Sequence, residues 1–150
     1  MRPLLSGGFS ARYGVVLGFL IGLTGCGHKL YPVSGKVTLD DGTPVTKGMV
    51  VFEGTPEAGG VPVTARGEIQ PDGSYQLSTS QPNDGVPPGK YRALINSMDL
   101  SDTFDEDKNL PYHFKYLKFE TSGLEYEVKA QKNDIPIQLA KAPPRPRKKR

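Results

Sequence analysis

Tryptophan is absent from this chain of 150 residues, which holds only one cysteine and two histidines. A single cysteine excludes an intramolecular disulfide framework, and so few cysteines and histidines leave little from which to build a zinc site of the usual kind. The length allows one ordinary domain, which excludes a multidomain enzyme. Catalytic side chains are therefore scarce, and we expect neither a cofactor nor a metal site.

Glycine and proline are abundant instead, with 18 and 14 residues in a chain whose hydrophobic residues amount to 36%. The composition lacks the strict glycine period of collagen and is more apolar than that of a disordered chain. It favours many short strands joined by turns.

The first 25 residues are interpreted as a lipoprotein signal peptide. Arg2 and Arg12 supply positive charge, and residues 13–23 form an uncharged run of 11 residues. This run is about half of the roughly 20 apolar residues that a membrane-spanning helix needs. The sole cysteine follows in Leu23-Thr24-Gly25-Cys26, which resembles the bacterial lipobox. The resemblance implies that the Cys26 thiol receives a diacylglyceryl group and that Cys26 becomes the mature N-terminus.

Lipidation determines where the protein is expected. Two or three acyl chains give stable anchoring where one chain binds reversibly, so we expect an exported protein that sits on a membrane without crossing it. Gly27 replaces the aspartate that favours inner-membrane retention in well-studied Gram-negative bacteria, which favours the outer membrane. The alternative for Cys26 is a buried free thiol, but residues 26–31 form a polar tether in which no core is expected.

From Val33 onward apolar and polar residues alternate, which is the pattern of strands with one buried face. Asp41-Gly42 predicts a tight hairpin turn, and Pro71-Asp72-Gly73 predicts a reversal between two neighbouring strands. Because Pro136 lacks an N–H, the final strand is expected at an edge or with Pro136 facing out of the ladder. We predict a seven-stranded antiparallel β-sandwich over residues 32–140, with strands in residues 33–39, 49–52, 61–69, 75–79, 91–95, 124–128 and 135–139.

The order of several short motifs resembles a known family. These motifs are Gly35-Lys36-Val37-Thr38-Leu39, Asp41-Gly42-Thr43-Pro44-Val45, Pro71-Asp72-Gly73-Ser74-Tyr75, Pro88-Gly89-Lys90-Tyr91 and Thr121-Ser122-Gly123-Leu124. Together they are similar to the carboxypeptidase regulatory-like and transthyretin-like domains, and behind a lipobox they resemble small secreted lipoproteins of Planctomycetes. The resemblance implies a prealbumin-like sandwich over about residues 31–140 and no settled biochemical activity.

The transthyretin-like folds include one enzyme, hydroxyisourate hydrolase, whose site resembles a histidine and arginine cluster completed by a C-terminal Tyr-Arg-Gly-Ser. This chain ends in Arg147-Lys148-Lys149-Arg150 and has only His28 and His113. We therefore expect no enzymatic activity. His113 could act as an isolated acid or base, but a hydrogen-bonded loop histidine is the preferred interpretation.

Five acidic residues lie close together in the only long connection, residues 96–122: Asp99, Asp102, Asp105, Glu106 and Asp107. Carboxylates gathered on a loop can hold calcium, and Asp105, Asp107 and Asn109 imitate the start of an EF-hand loop. Leu110 and Tyr116 occupy the positions of its glycine and its bidentate glutamate. A solvated acidic loop is therefore the preferred interpretation.

The same connection contains a candidate binding loop with five aromatic residues, Phe104, Tyr112, Phe114, Tyr116 and Phe119. Long loops in compact domains are often functional, and aromatic rings can stack on sugars or hold a protein partner. The alternative is that the rings cap an open end of the sandwich, with an extra strand at Tyr112 to Phe119.

Charge is divided unevenly along the chain. Residues 26–140 hold 11 bases and 16 acids, whereas the last ten residues hold six bases and no acid. The basic, proline-rich tail of residues 141–150 cannot pack a core. It either solubilises the chain or contacts lipid phosphates and acidic envelope polymers, and export leaves no expectation of a nucleic-acid partner.

These inferences predict a lipid-anchored, non-enzymatic β-sandwich of the cell envelope that binds a protein partner or takes part in envelope assembly. The alternative is a carbohydrate- or peptidoglycan-binding lipoprotein that uses the aromatic loop of residues 104–119.

Overall fold

The strands form where apolar and polar side chains alternate, because successive residues of a strand point to opposite faces of a sheet. The computed structural model describes residues 29–97 and 110–143. The strands in these ranges are β1 (Val33–Leu39), β2 (Met49–Pro56), β3 (Val63–Glu68), β4 (Ser74–Gln76), β5 (Gly89–Asn96), β6 (Leu124–Val128), β7 (Asn133–Asp134) and β8 (Ile137–Leu139). A 3-10 helix (Phe114–Leu117) and the single-turn helix α1 (Phe119–Ser122) precede β6.

The strands form two sheets that bury a shared core. Sheet A consists of β4, β1, β7 and β8; β1 is antiparallel to β4 and parallel to β7 and β8. Sheet B has the order β3-β2-β5-β6, and all of its neighbours are antiparallel. The prediction of a small β-rich domain with two sheets is confirmed, and the arrangement resembles an open sandwich.

Two details differ from the predicted sandwich. The described residues contain eight strands rather than seven, and sheet A is mixed rather than antiparallel. The last predicted strand, residues 135–139, begins only at Ile137 as β8, and the two-residue β7 precedes it. Pro136, which has no N–H for a ladder, lies exposed between β7 and β8. Among the described strands, β7 and β8 pair only with β1, so the expected edge position of this segment is confirmed.

The Asp41-Gly42 turn forms as predicted, but it does not join β1 to β2. Gly42 has a φ of 84° and donates its N–H to the Leu39 carbonyl at 2.9 Å. After the turn the chain returns to β1 only briefly, where the Val45 N–H donates to the Val37 carbonyl at 3.0 Å. It then crosses to sheet B, because the apolar residues of β2 are buried there beside β3 and β5.

The strands before and after Pro71-Asp72-Gly73 were expected to pair with each other, and this prediction is wrong. The reversal itself is present, since Gly73 has a φ of 83° and donates its N–H to the Gln70 carbonyl at 2.8 Å. However, β4 pairs with β1, and the two segments around the turn share one isolated bridge, between Arg66 and Ser78. The turn therefore carries the chain from one sheet to the other.

The core lies between the two sheets and contains alternate residues of both. Its largest fully buried side chains include Tyr91, Tyr112, Phe52, Leu77, Ile95, Ile137 and Leu139. The Phe52 ring stacks on Tyr126, with ring centroids 5.5 Å apart. Among the described residues no buried side-chain nitrogen or oxygen lacks a hydrogen-bond partner, so the core carries no unsatisfied polar cost.

Gly35 allows three segments of sheet A to approach closely. A Cβ at this position would lie 2.0 Å from the Ile135 carbonyl oxygen and 3.0 Å from the Tyr75 ring. The Tyr75 hydroxyl donates to the same Ile135 carbonyl at 2.7 Å. The missing side chain of β1 therefore makes room for a ring from β4 and for the backbone that follows β7.

Candidate functional site

Residues 110–123, here called the cap segment, close one end of the sandwich. The His113 N–H donates to the Ala140 carbonyl at 3.0 Å, just after β8. The Ser122 hydroxyl donates to the Ala93 carbonyl of β5 at 2.7 Å. The cap segment is therefore tied to both sheets, which agrees with the interpretation that the aromatic loop caps the sandwich.

The extra strand predicted as an option for Tyr112 to Phe119 is wrong, because this stretch forms the 3-10 helix and the start of α1. Tyr112 forms an isolated bridge to Lys141 before the 3-10 helix and Tyr116 lies within that helix, and both are buried. Strand alternation would bury Phe114 together with them, yet Phe114 is 56% exposed.

The structure separates the candidate aromatic residues into two groups. Tyr112 and Tyr116 belong to the core, where the Tyr116 hydroxyl accepts the Ala140 N–H at 3.0 Å. Phe114 is exposed, and Phe119 is half-buried with the Arg92 guanidinium 5.6 Å from its ring centroid. Phe104 lies outside the described residues. Among the described members of the set, Phe114 and Phe119 are thus the ones that reach the surface.

His113 has a local structural role at the start of the 3-10 helix. Its Nδ1 accepts the Lys115 N–H at 3.1 Å, which caps the helix start. Its ring stacks on Phe114, with centroids 4.4 Å apart. This is the hydrogen-bonded loop histidine that the sequence predicted, and the contact also holds the exposed Phe114 ring in place.

The outer face of sheet B carries charged side chains in register. Glu53 of β2 pairs with Arg92 of β5, which pairs in turn with Glu125 of β6. In the neighbouring row Lys90 pairs with Glu127. Opposite charges on directly paired residues contribute roughly 0.2–1 kcal/mol for each pair. An open groove of about 550 Å³ lies over these rows.

Sequence reasoning missed this charged face. Lys90 and Arg92 alternate with buried residues of β5, and Glu125 and Glu127 alternate with half-buried or buried residues of β6. That alternation shows that the four side chains point outward, and it was the available signal. The pairing of acid with base depends on the register of β5 against β6, which the sequence does not reveal.

Several tyrosines have a raised pKa because burial disfavours the phenolate. Burial raises the pKa of Tyr91 to about 12 and that of Tyr112 to about 12. Burial also raises the pKa of Tyr75 strongly, and that of Tyr126. Two of these hydroxyls are structural donors: that of Tyr75 donates to the Ile135 carbonyl at 2.7 Å, and that of Tyr91 donates to the Pro87 carbonyl at 2.9 Å.

Three exposed or nearly exposed aspartates have a lowered pKa. The hydrogen bond from Lys141 lowers the pKa of Asp41 to about 2, and hydrogen bonds from Ser74 lower the pKa of Asp72. Slight burial favours the neutral form of Asp84, but backbone N–H donors outweigh it and lower its pKa; they belong to Thr79, Gln81 and Ser80. All three carboxylates therefore fix turns.

Several predicted features lie outside the described residues. They are the leader with Cys26, the acidic stretch of residues 99–107 with Asn109, and the end of the basic tail. Within the part of the chain that is described, no three His, Cys, Asp or Glu side chains are grouped so that they could hold a metal ion. None of the helices in residues 29–97 and 110–143 has the length and hydropathy required to span a membrane.

The chain matches no protein-family model, no curated protein and no solved structure. What is established is a small β-rich domain of two sheets. The similarity to carboxypeptidase regulatory-like and transthyretin-like domains stays a prediction.

The two groups of cap-segment aromatics should respond differently to truncation. We expect Tyr116→Ala to lower the free energy of unfolding by about 3 kcal/mol or more, because it removes a buried ring. Phe114→Ala should change it by less than about 0.5 kcal/mol, because that ring is largely exposed. Urea unfolding of the two variants measures both values, and equal losses would contradict the separation.

Proposed function

We propose that the chain is a lipid-anchored, non-enzymatic binding module of the cell envelope, and that Cys26 carries the anchor. The sequence Leu23-Thr24-Gly25-Cys26 behind an uncharged run supports the anchor. The observation that carries the binding role is the position of the cap segment, which lies at the end of the sandwich opposite to the tether.

Hydrogen bonds define the two ends. At the tether end the Tyr31 N–H donates to the Val86 carbonyl at 3.0 Å, and β1 begins two residues later. At the other end the Asp40 N–H donates to the Leu139 carbonyl at 2.9 Å, beside the attachment of the cap segment. The seven residues of β1 connect these ends over about 23 Å, at roughly 3.3 Å for each residue.

The tether is short in comparison with the sandwich. Residues 26–30 span at most about 18 Å when fully extended, and the fold holds the chain from Tyr31 onward. A lipid on Cys26 would therefore keep the tether end close to the membrane. The cap segment, with Phe114 at its surface, would face away from the membrane toward other envelope components.

Replacement of the lipidated residue tests the anchor. We expect Cys26→Ser to lose the acyl groups and the processing that depends on them, because a serine hydroxyl does not form the thioether. Mass spectrometry of the N-terminal peptide and membrane fractionation in native cells measure both effects. Ser10→Ala, in the leader but outside the lipobox, is the matched control and should behave as the wild type.

The anchor proposal would be overturned by one clear result. If Cys26→Ser remained bound to the membrane and its leader were removed normally, the thiol would not be the site of attachment. Wild-type protein that begins at Met1 and carries no lipid would lead to the same conclusion.

The finer assignments remain part of the proposal. We infer membership of the carboxypeptidase regulatory-like group from the order of the turn motifs, and a location on the outer membrane from Gly27. Glycan binding through the aromatic loop is a second prediction, and among the described residues it depends on Phe114 and Phe119, because Tyr112 and Tyr116 are buried.

A further inference from the structure

The last strand of sheet B, β6, has an open edge in the described part of the chain. It pairs with β5 on one side, from Leu124 opposite Ala93 to Val128 opposite Gly89. No described strand lies on its other side. Alternate N–H and C=O groups of an edge strand point away from its neighbour and can pair with an added strand. The opposite edge of the sheet is partly closed, because β3 exchanges hydrogen bonds of 2.9 and 2.8 Å with Ser78 through Arg66.

One end of this edge is closed by a side chain. Just beyond β6, the Lys129 N–H donates to the Asn133 side-chain oxygen at 2.9 Å. At the other end, the Leu124 N–H donates at 3.2 Å to the Ser122 hydroxyl, which itself donates to Ala93 of β5, so this N–H points toward β5. Because neighbouring residues of a strand alternate in direction, the outward backbone groups are those of Glu125 and Glu127, on either side of Tyr126.

The charges beside the open edge are of one sign. Glu125 and Glu127 are exposed, and each is the outermost member of a row whose inner neighbour is basic, Arg92 and Lys90 respectively. A strand added beyond β6 would place its own side chains next to these carboxylates. Basic side chains there would continue the alternation of charge across the sheet and stabilise the pairing.

On the core-facing side of β6, an added strand would need an apolar residue. Tyr126 is half-buried, stacks on Phe52 with an interplanar angle of 6°, and borders the core. An apolar side chain of the added strand would cover its outer side. The fitting segment is therefore extended and alternates basic with apolar residues.

Two other occupants fit less well. A second copy of β6 would place Glu125 and Glu127 next to the same carboxylates, which is destabilising. The basic tail of this chain offers no apolar residue after Ala142, and its prolines at positions 143, 144 and 146 have no N–H to donate.

We propose that the β6 edge binds an extended segment of a partner protein, in which basic and apolar residues alternate, as a fifth strand of sheet B. The inference goes beyond the proposed binding role, because the β6 edge is a surface separate from the cap segment. It does not depend on the anchor, so a failed lipidation test and a failed binding test are separate results.

Binding of a short fluorescent peptide in which lysine and valine alternate tests the proposal, with full-length protein in a neutral detergent. We expect saturable binding that weakens about tenfold in the double variant E125Q/E127Q. The double variant E57Q/E68Q has the same change in charge on exposed residues away from β6 and should bind as the wild type. Amide NMR signals that change on binding should centre on residues 124–128.

Two further peptides separate strand addition from charge attraction. A peptide of the same sequence that is N-methylated at alternate residues should bind at least about tenfold more weakly, because it cannot complete the ladder. A peptide that alternates glutamate and valine should not bind. Equal binding of the methylated peptide, equal weakening in both double variants, or no binding at millimolar peptide would each overturn the proposal.

Discussion

Gly35→Ala is expected to lower the free energy of unfolding by at least about 3 kcal/mol, or to prevent folding. The new Cβ would lie 2.0 Å from the Ile135 carbonyl oxygen, which belongs to backbone and cannot rotate away. Relief requires that the backbone at Ile135 move away from β1. That movement weakens the hydrogen bond of 2.7 Å between the Tyr75 hydroxyl and the Ile135 carbonyl.

Gly42→Ala is the matched comparison for this steric effect. No atom lies within 4 Å of the position that its Cβ would take, and its φ is 84°. The expected cost is therefore that of the left-handed conformation alone, roughly 1–2 kcal/mol. Urea denaturation of both variants gives the comparison, and a Gly35→Ala protein as stable as Gly42→Ala would show that the sheet adapts to the added methyl group.

Stability is expected to fall steeply as the pH rises from about 10 to about 12. In the unfolded chain, tyrosines ionise near pH 10. In the folded chain, burial raises the pKa of Tyr91 and Tyr112 to about 12 and that of Tyr75 further. Below pH 10 these tyrosines are protonated in both the folded and the unfolded chain, so their ionisation removes no stability. Above it the unfolded state loses protons first, so each of these residues removes about 1.4 kcal/mol for every pH unit.

Three such residues can remove a large part of the roughly 5–15 kcal/mol that stabilises a typical domain. Urea midpoints measured across this pH range, together with phenolate absorbance, test the expectation. Tyr112→Phe should reduce the slope with pH, because phenylalanine cannot ionise. Phe114→Leu, at an exposed position without an ionisable group, is the control and should leave the slope nearly unchanged. A slope that does not depend on Tyr112 would contradict this explanation.

Local features of the fold were predictable from the sequence, because alternation and turn chemistry act over a few residues. The bounds of β1 follow from alternation, and the turns at Gly42 and Gly73 follow from their Asp-Gly sequences. The partners of the strands were not predictable. Asp41-Gly42 and Asp72-Gly73 occur in similar contexts, and in both cases the strands before and after the turn belong to different sheets.

The candidate site was predictable only in part, for the same reason. The aromatic content of the loop is visible in the sequence, but the burial of Tyr116 depends on Ala140, which lies 24 residues away. The charge rows on sheet B depend on the register of β5 against β6. Such contacts join distant parts of the chain, and no local pattern encodes them.

The two chain ends leave the sandwich at opposite poles. The N-terminal tether joins the sandwich beside Val86. The C-terminal segment leaves it at Lys141, which forms an ion pair with Asp41 and an isolated β-bridge with Tyr112. If Cys26 holds the protein to one layer of the envelope, the six bases at the C-terminus start from the far pole. The domain would then act as a spacer, so that its length sets the distance between the layer that holds the lipid and the anionic layer that the tail can reach.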